Sequence, residues 1–189
     1  MSSFEFVFSL LVILLGLGLG QALGGLASAV KRRPGLKIGW GTGLLATWVM
    51  TETVIFWEII WRTRDTLPDR SAALFSGFGI TALYYFAGAL VFPDELGGRT
   101  SLDDYFMREK ARAIGAILAA VVLAFAWRRA VIGPGAWALA PWYAWAGLAV
   151  IYAAGPLAML TRRRNIAIAA LAVLVVIDLL DPIESLLWP

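Results

Sequence analysis

The segment from Ile38 to Trp61 constrains the fold most, because it is apolar enough to cross a bilayer and yet contains two carboxylates, Glu52 and Glu58. A charged side chain in hydrocarbon costs roughly 3 kcal/mol or more on insertion scales. A partner, a proton, a bound cation or water must therefore compensate each of these charges if the segment spans a membrane.

Apolar blocks of similar length recur along the whole chain. Hydrophobic residues make up 60% of the 189 residues and charged residues only 15%, whereas a soluble domain averages about 45–50% and about 25%. Blocks about 20 residues long are typical of membrane-spanning helices. We therefore predict an all-α polytopic integral membrane protein with six transmembrane helices and no soluble domain, the spans lying at about 4–30, 38–61, 72–92, 113–133, 137–160 and 165–187.

The first block could also be a cleaved signal peptide. We interpret it as a span, because no Lys or Arg precedes it and because it is longer than the apolar region of a signal peptide. Its small residues also recur every four positions, which places Gly16, Gly20, Gly24 and Ser28 on one helical face. Such a glycine-zipper face favours tight helix packing, either within the chain or in an oligomer.

The fourth block is the shortest of the six. Only Ala113 to Trp127 are apolar before Arg128 and Arg129, so the span reaches position 133 only if both arginines snorkel outward. If this block does not span, five spans remain and the two termini lie on opposite sides. The preceding Ser101-Leu102-Asp103-Asp104 has the pattern of a helix start, so we expect a helix from about Leu102.

The basic residues predict an orientation. Of the 16 Lys and Arg residues, eleven fall in the first, third and fifth loops and five in the second and fourth. Cytoplasmic loops carry the excess of Lys and Arg. We therefore expect both termini outside, in the periplasm if the membrane is a bacterial inner membrane.

The residue types that are missing exclude several activities. The chain has no Cys and no His, so thiol nucleophiles, histidine bases and the commonest metal ligands are absent. A phosphate-binding G-x-x-x-x-G-K-[ST] loop is also absent. We predict no catalytic residue, no metal site, no cofactor and no nucleic-acid binding, and the basic residues in the loops serve as topology signals.

Two carboxylates on different spans are expected at the same depth. Glu52 lies fifteen residues beyond Lys37 and Asp178 fourteen beyond Arg164, which places them roughly 22 Å and 21 Å along ideal helices. A hydrocarbon core is about 30 Å thick. Glu58, at roughly 31 Å, falls at the outer boundary.

Three hypotheses follow for this layer. Glu52 and Asp178 line a cation or proton path, as intramembrane acids often do. Alternatively, one of them forms a structural ion pair with Arg128, which lies at a similar depth, roughly 24 Å. A catalytic diacid of an intramembrane protease is the third and least favoured hypothesis, because neither carboxylate has a glycine-rich context.

These patterns lead to two functional predictions. The first is a small inner-membrane cation- or proton-linked channel or transporter with intramembrane carboxylates. The second is a non-catalytic accessory subunit of a larger membrane complex. In either case we expect lipid contact and either a homo-oligomer or a larger membrane assembly.

Overall fold

Six α-helices make up the fold. The computed structural model describes residues 3–31, 36–63, 71–94, 101–133 and 142–187, and the all-helical fold class is confirmed for them. The helices are α1 (Ser3–Lys31), α2 (Trp40–Arg62), α3 (Ser71–Val91), α4 (Asp103–Ile132), α5 (Trp142–Leu160) and α6 (Arg164–Leu187).

Four of the helices are long and apolar enough to cross a membrane, and they suggest a membrane protein. The stretches that qualify are Phe8–Lys31, Trp40–Arg62, Ala72–Val91 and Asp103–Ala130, in α1 to α4. The apolar stretch of α5, Trp145–Leu160, is shorter. Positions 137–141 of the predicted fifth span lie outside the described residues.

Helix α4 begins about ten residues before the predicted fourth span and close to the predicted helix start. Its first residue is Asp103, whose N–H donates to the Ser101 hydroxyl at 3.2 Å. A side-chain acceptor just before the first turn satisfies one of the N–H groups that have no partner inside the helix. The sequence from Asp103 to Arg112 is a continuous extension of the same helix.

The helices are arranged as a closed ring. Around the ring, α1 packs on α3, α3 on α4, α4 on α5, α5 on α6, α6 on α2, and α2 on α1. Helix α2 also packs on α3 and α4 across the ring. Its buried face recurs every three or four residues, as expected for one side of a helix, and includes Leu45, Trp48, Val49, Glu52, Phe56 and Ile60.

Three helices begin at one end of the bundle. The N–H of Leu102 donates to the Lys37 carbonyl at 3.1 Å, which joins the segment before α4 to the segment before α2. An ion pair of 2.9 Å between Arg164 and Asp103 joins the starts of α6 and α4. We call this end, where α2, α4 and α6 begin, the basic end.

Helices α1 and α3 run in the same direction and approach closely. A Cβ built on Gly88 would lie 2.5 Å from the carbonyl oxygen of Gly18, and one built on Gly18 would lie 3.1 Å from the Cα of Tyr85. Any side chain at these positions would push the two backbones apart. The α1–α3 contact therefore depends on these two glycines.

We expect Gly88→Ala to destabilise the protein by about 1–3 kcal/mol, because the methyl group overpacks a backbone contact. The matched control is Gly79→Ala on the same helix, where no described atom lies within 4 Å of the added Cβ. That substitution should be neutral or stabilising, since Ala is the better helix former. The unfolding midpoints of both variants can be measured by circular dichroism during heating in detergent. Equal midpoints for the two variants would contradict the close contact.

Candidate functional site

The fold brings Glu52 and Asp178 together. Glu52 lies on the buried face of α2, and Asp178 lies on α6, which packs against it. Each residue is only 4% exposed. The two carboxyl groups are close enough for their charges to repel each other. The sequence predicts similar heights for the two acids on different helices, and in the structure these two helices pack against each other with both acids buried.

Tyr84 of α3 belongs to the same cluster. It is 2% exposed, and its hydroxyl group interacts electrostatically with both carboxyl groups. Its ring stacks on Phe56, with 5.2 Å between the ring centroids, and Phe56 meets the ring of Trp127 edge-on at 6.4 Å. Because Phe56 lies one turn beyond Glu52 on α2, these rings form an aromatic layer on the side of the pair away from the basic end.

Nearby threonine hydroxyls are engaged within their own helices. Thr53 donates to the Val49 carbonyl at 2.7 Å, and Thr51 donates to the Thr47 carbonyl at 2.6 Å. On α3, Thr81 donates to the carbonyl of Gly77 at 3.1 Å. Their hydroxyl protons are therefore committed to backbone oxygens, and they do not neutralise the carboxyl charges.

The structure separates Glu58 from this cluster. Its side chain is half exposed and forms an i,i+4 ion pair with Arg62 in the last turns of α2. Arg128 of α4 lies near the same Arg62, whose charge repels it. Glu52 is acted on by the charge of Asp178, and Arg128 by the charge of Arg62. Glu58 and Arg128 therefore lie together at the end of the bundle opposite the basic end.

The small-residue face of α1 points outward. Within the described chain, no atom of another element lies within 4 Å of a Cβ built on Gly16, Gly20 or Gly24, and Ser28 is exposed. The contacts with α3 are made by Gly18 and Gly25 on another side of α1. The face is therefore available to lipid or to another protein.

Two cavities open on the surface of the described bundle. The larger, of about 510 Å³, lies at the basic end between the starts of α2, α4 and α6. The smaller, of about 280 Å³, lies between α4 and α5 beside Arg129 and Tyr152. Neither cavity is lined by Glu52 or Asp178. The described residues contain no group of three or more acidic side chains that could hold a metal ion.

A buried lysine was missed by the sequence reasoning, which counted it as a loop charge. Lys110 is 3% exposed, and its Nζ donates to the carbonyls of Ala158 and Met159 at 2.5 and 2.9 Å. These carbonyls belong to the last turn of α5, where they have no partner within the helix. The ammonium group also complements the negative end of the helix dipole.

The spacing of residues contained the signal for this cap. Phe106, Ile114 and Ile117 are buried, and Lys110 falls on the same face of α4 at intervals of three and four residues. A charge on a buried face requires a partner. The identity of the partner, the end of α5, could not be read from the sequence.

Comparisons with known proteins identified no relative: no family model, no curated protein and no solved structure matches the chain. The functional argument therefore rests on the residues themselves.

We expect Lys110→Met to destabilise the protein by about 1.5–3 kcal/mol, since two charge-assisted hydrogen bonds to buried carbonyls are lost. The control is Arg112→Gln two residues later, an exposed position that pairs with Glu109 at 2.9 Å and should change stability by less than about 1 kcal/mol. Denaturant unfolding of both variants in the same detergent measures the difference. A Lys110→Met protein as stable as wild type would show that the cap is dispensable.

Proposed function

We propose that this chain is a small proton- or cation-linked channel or transporter of a bacterial inner membrane, with six spans and both termini outside. The observation that carries the proposal is the burial of Glu52 and Asp178 on two packed helices, within electrostatic reach of each other. Two carboxylates in an apolar interior cannot both stay ionised without compensation. A proton or a cation is the ligand that such a pair takes up.

The arrangement of the helices supports the topology. Helices α2, α4 and α6 begin at the same end of the bundle, and α5 ends there, where Lys110 caps it. Successive helices then alternate in direction, as six consecutive crossings require. The eleven basic residues assigned to the inner loops favour the basic end as the cytoplasmic side.

Glu58 and Arg128 lie near the end of α2, away from the buried acids, and this supports Glu52 and Asp178 as the functional acids. Glu58 forms an exposed ion pair, which in water contributes little. Arg128 lies within electrostatic reach of Arg62, at the end of α2 where Glu58 is. A structural ion pair between Arg128 and either acid is therefore less favoured than a proton or cation shared by the acids. A protease would need both carboxyls in an accessible cleft, and their 4% exposure argues against one.

A second candidate is an accessory subunit of a larger membrane complex or of a homo-oligomer. It is favoured by the outward face of α1, where Gly16, Gly20 and Gly24 have no neighbour in the described chain. Faces of this kind let two backbones approach closely in a bilayer. In this case Glu52 and Asp178 share a proton for structural reasons and conduct nothing.

Ion flux into proteoliposomes tests the first proposal. We expect proton or cation flux with the wild-type protein over a pH series, and at least about tenfold less with Glu52→Gln or Asp178→Asn, since the pair then loses one of its two charges. Glu58→Gln is the matched control, because the same change at an exposed ion pair should leave the flux within about twofold.

The stability of each variant is measured in parallel. Both amides fill nearly the same space as the acids they replace, so Glu52→Gln and Asp178→Asn should fold as well as wild type. Absence of flux in wild type, with both variants merely less stable, would contradict the transport function and favour the accessory subunit.

For the accessory role, we expect Gly20→Leu to weaken association with a second copy or a partner while the fold is unchanged, because the leucine blocks close backbone approach. Gly79→Leu is the control, since it adds the same side chain at another open position, on α3. Cross-linking in native membranes reports the association. Equal cross-linking of Gly20→Leu and wild type would contradict a role for this face.

A further inference from the structure

The cavity at the basic end combines charged and apolar walls. Its volume is about 510 Å³, and it opens among the end of α1 and the starts of α2, α4 and α6. Lys37, Asp103 and Arg164 supply the charged part of its lining. Val30, Ile38 and Trp40 supply the apolar part. None of these residues belongs to the Glu52–Asp178 pair, which lies roughly 22 Å farther along α2.

The charges of the cavity favour an anion. Lys37 and Arg164 contribute two positive charges against the one negative charge of Asp103. The ion pair with Asp103 uses one nitrogen of Arg164, and a guanidinium has five N–H donors. Donors thus remain on Arg164 for a ligand, in a cavity that Lys37 also lines.

Three helix starts add to the positive potential. Trp40, Asp103 and Arg164 are the first residues of α2, α4 and α6, and all three line the cavity. The positive ends of helix dipoles and their free N–H groups attract anions.

The apolar wall favours an amphiphile over a small soluble anion. Trp40 is 78% exposed and Val30 52% exposed, next to the two cations and at the ends of two candidate membrane spans. Apolar side chains exposed beside charges at this depth match a lipid, whose acyl chains begin where its phosphate ends. A soluble phosphate would leave these side chains in contact with water.

We propose that this cavity binds the phosphate group of an anionic phospholipid, with Lys37 and Arg164 contacting the phosphate and Val30, Ile38 and Trp40 contacting the start of an acyl chain. The site is independent of transport, since it shares no residue with the carboxyl pair. It is also more specific than the general attraction of basic loops for an anionic membrane surface, because it requires two particular cations.

Native mass spectrometry of the full chain in detergent tests the site, with dioleoylphosphatidylglycerol as the probe and dioleoylphosphatidylcholine as the zwitterionic comparison. We expect wild type to retain the anionic lipid preferentially. Lys37→Gln should lower its affinity about fivefold, which corresponds to the ~1 kcal/mol of one cation near an anionic lipid. Lys37→Gln leaves the Asp103–Arg164 ion pair intact, and Arg164→Gln should lower the affinity at least as much.

Arg163→Gln is the matched control, since Arg163 is exposed, precedes Arg164 and does not line the cavity. It should leave lipid retention within about twofold of wild type. An equal loss with Arg163→Gln and Lys37→Gln would overturn the proposal in favour of general surface attraction. Equal retention of the two lipids would also overturn it. So would displacement of the lipid by inorganic phosphate at equal molar concentration, because the site would then be one for a free anion.

Discussion

The burial of two like-charged acids between α2 and α6 is the interaction on which the rest of the structure depends. Each acid removed from water loses hydration that only a proton, a cation or a counter-charge can replace. Within the described part of the chain, the charge that acts on Glu52 is the like charge of Asp178. The fold supplies an aromatic layer, with Tyr84 stacked on Phe56. The face of α2 that carries Glu52 has to point into the bundle for this to happen, because the opposite face of the helix is exposed at Val54 and Trp57.

The two ends of the bundle are held together by different interactions. At the basic end, polar contacts join separate helices: Lys110 caps α5, and Arg164 pairs with Asp103. Beyond the acid pair, the described residues include an aromatic contact between α4 and α2, with Trp127 edge-on to Phe56. The acid pair therefore lies between an end fixed by directional hydrogen bonds and an interior held by less directional ring contacts. Side-chain rearrangement is easier among rings than at a helix cap whose carbonyls would be left without donors.

The sequence predicted an all-helical chain, which is confirmed for the described residues, and it could not predict how each helix is rotated about its axis. Block length determines where an apolar helix begins and ends, and a rise of about 1.5 Å per residue determines depth, so the common layer of Glu52 and Asp178 could be predicted. Rotation about each helix axis is decided by packing against neighbours. Gly16 and Gly18 are both small residues in the same apolar block, yet only Gly18 meets α3. An ion pair between Arg128 and one of the acids is a similar case. Depth along the helix makes this ion pair possible, but it does not determine the side of α4 on which Arg128 lies.

Access of protons or cations to the acid pair would require α2 and α6 to separate locally, and the packing indicates where the bundle can divide. Helix α2 is held by α1, α3 and α4, whereas α6 is held by α5 and α2. The natural division therefore lies between α1–α4 and α5–α6.

Two polar ties, by which we mean polar contacts between helices, cross this division at the basic end. They are the Lys110 cap on α5 and the Asp103–Arg164 ion pair. The close packing of Leu118 on Gly155 crosses it nearby. An opening that starts at the basic end would have to break these ties, and one that starts at the opposite end would leave them intact. In an alternating-access cycle, both polar contacts would consequently be intact while the acid pair is open to the end of the bundle opposite the basic end. The acid pair would be open to the basic end only after both polar contacts had broken.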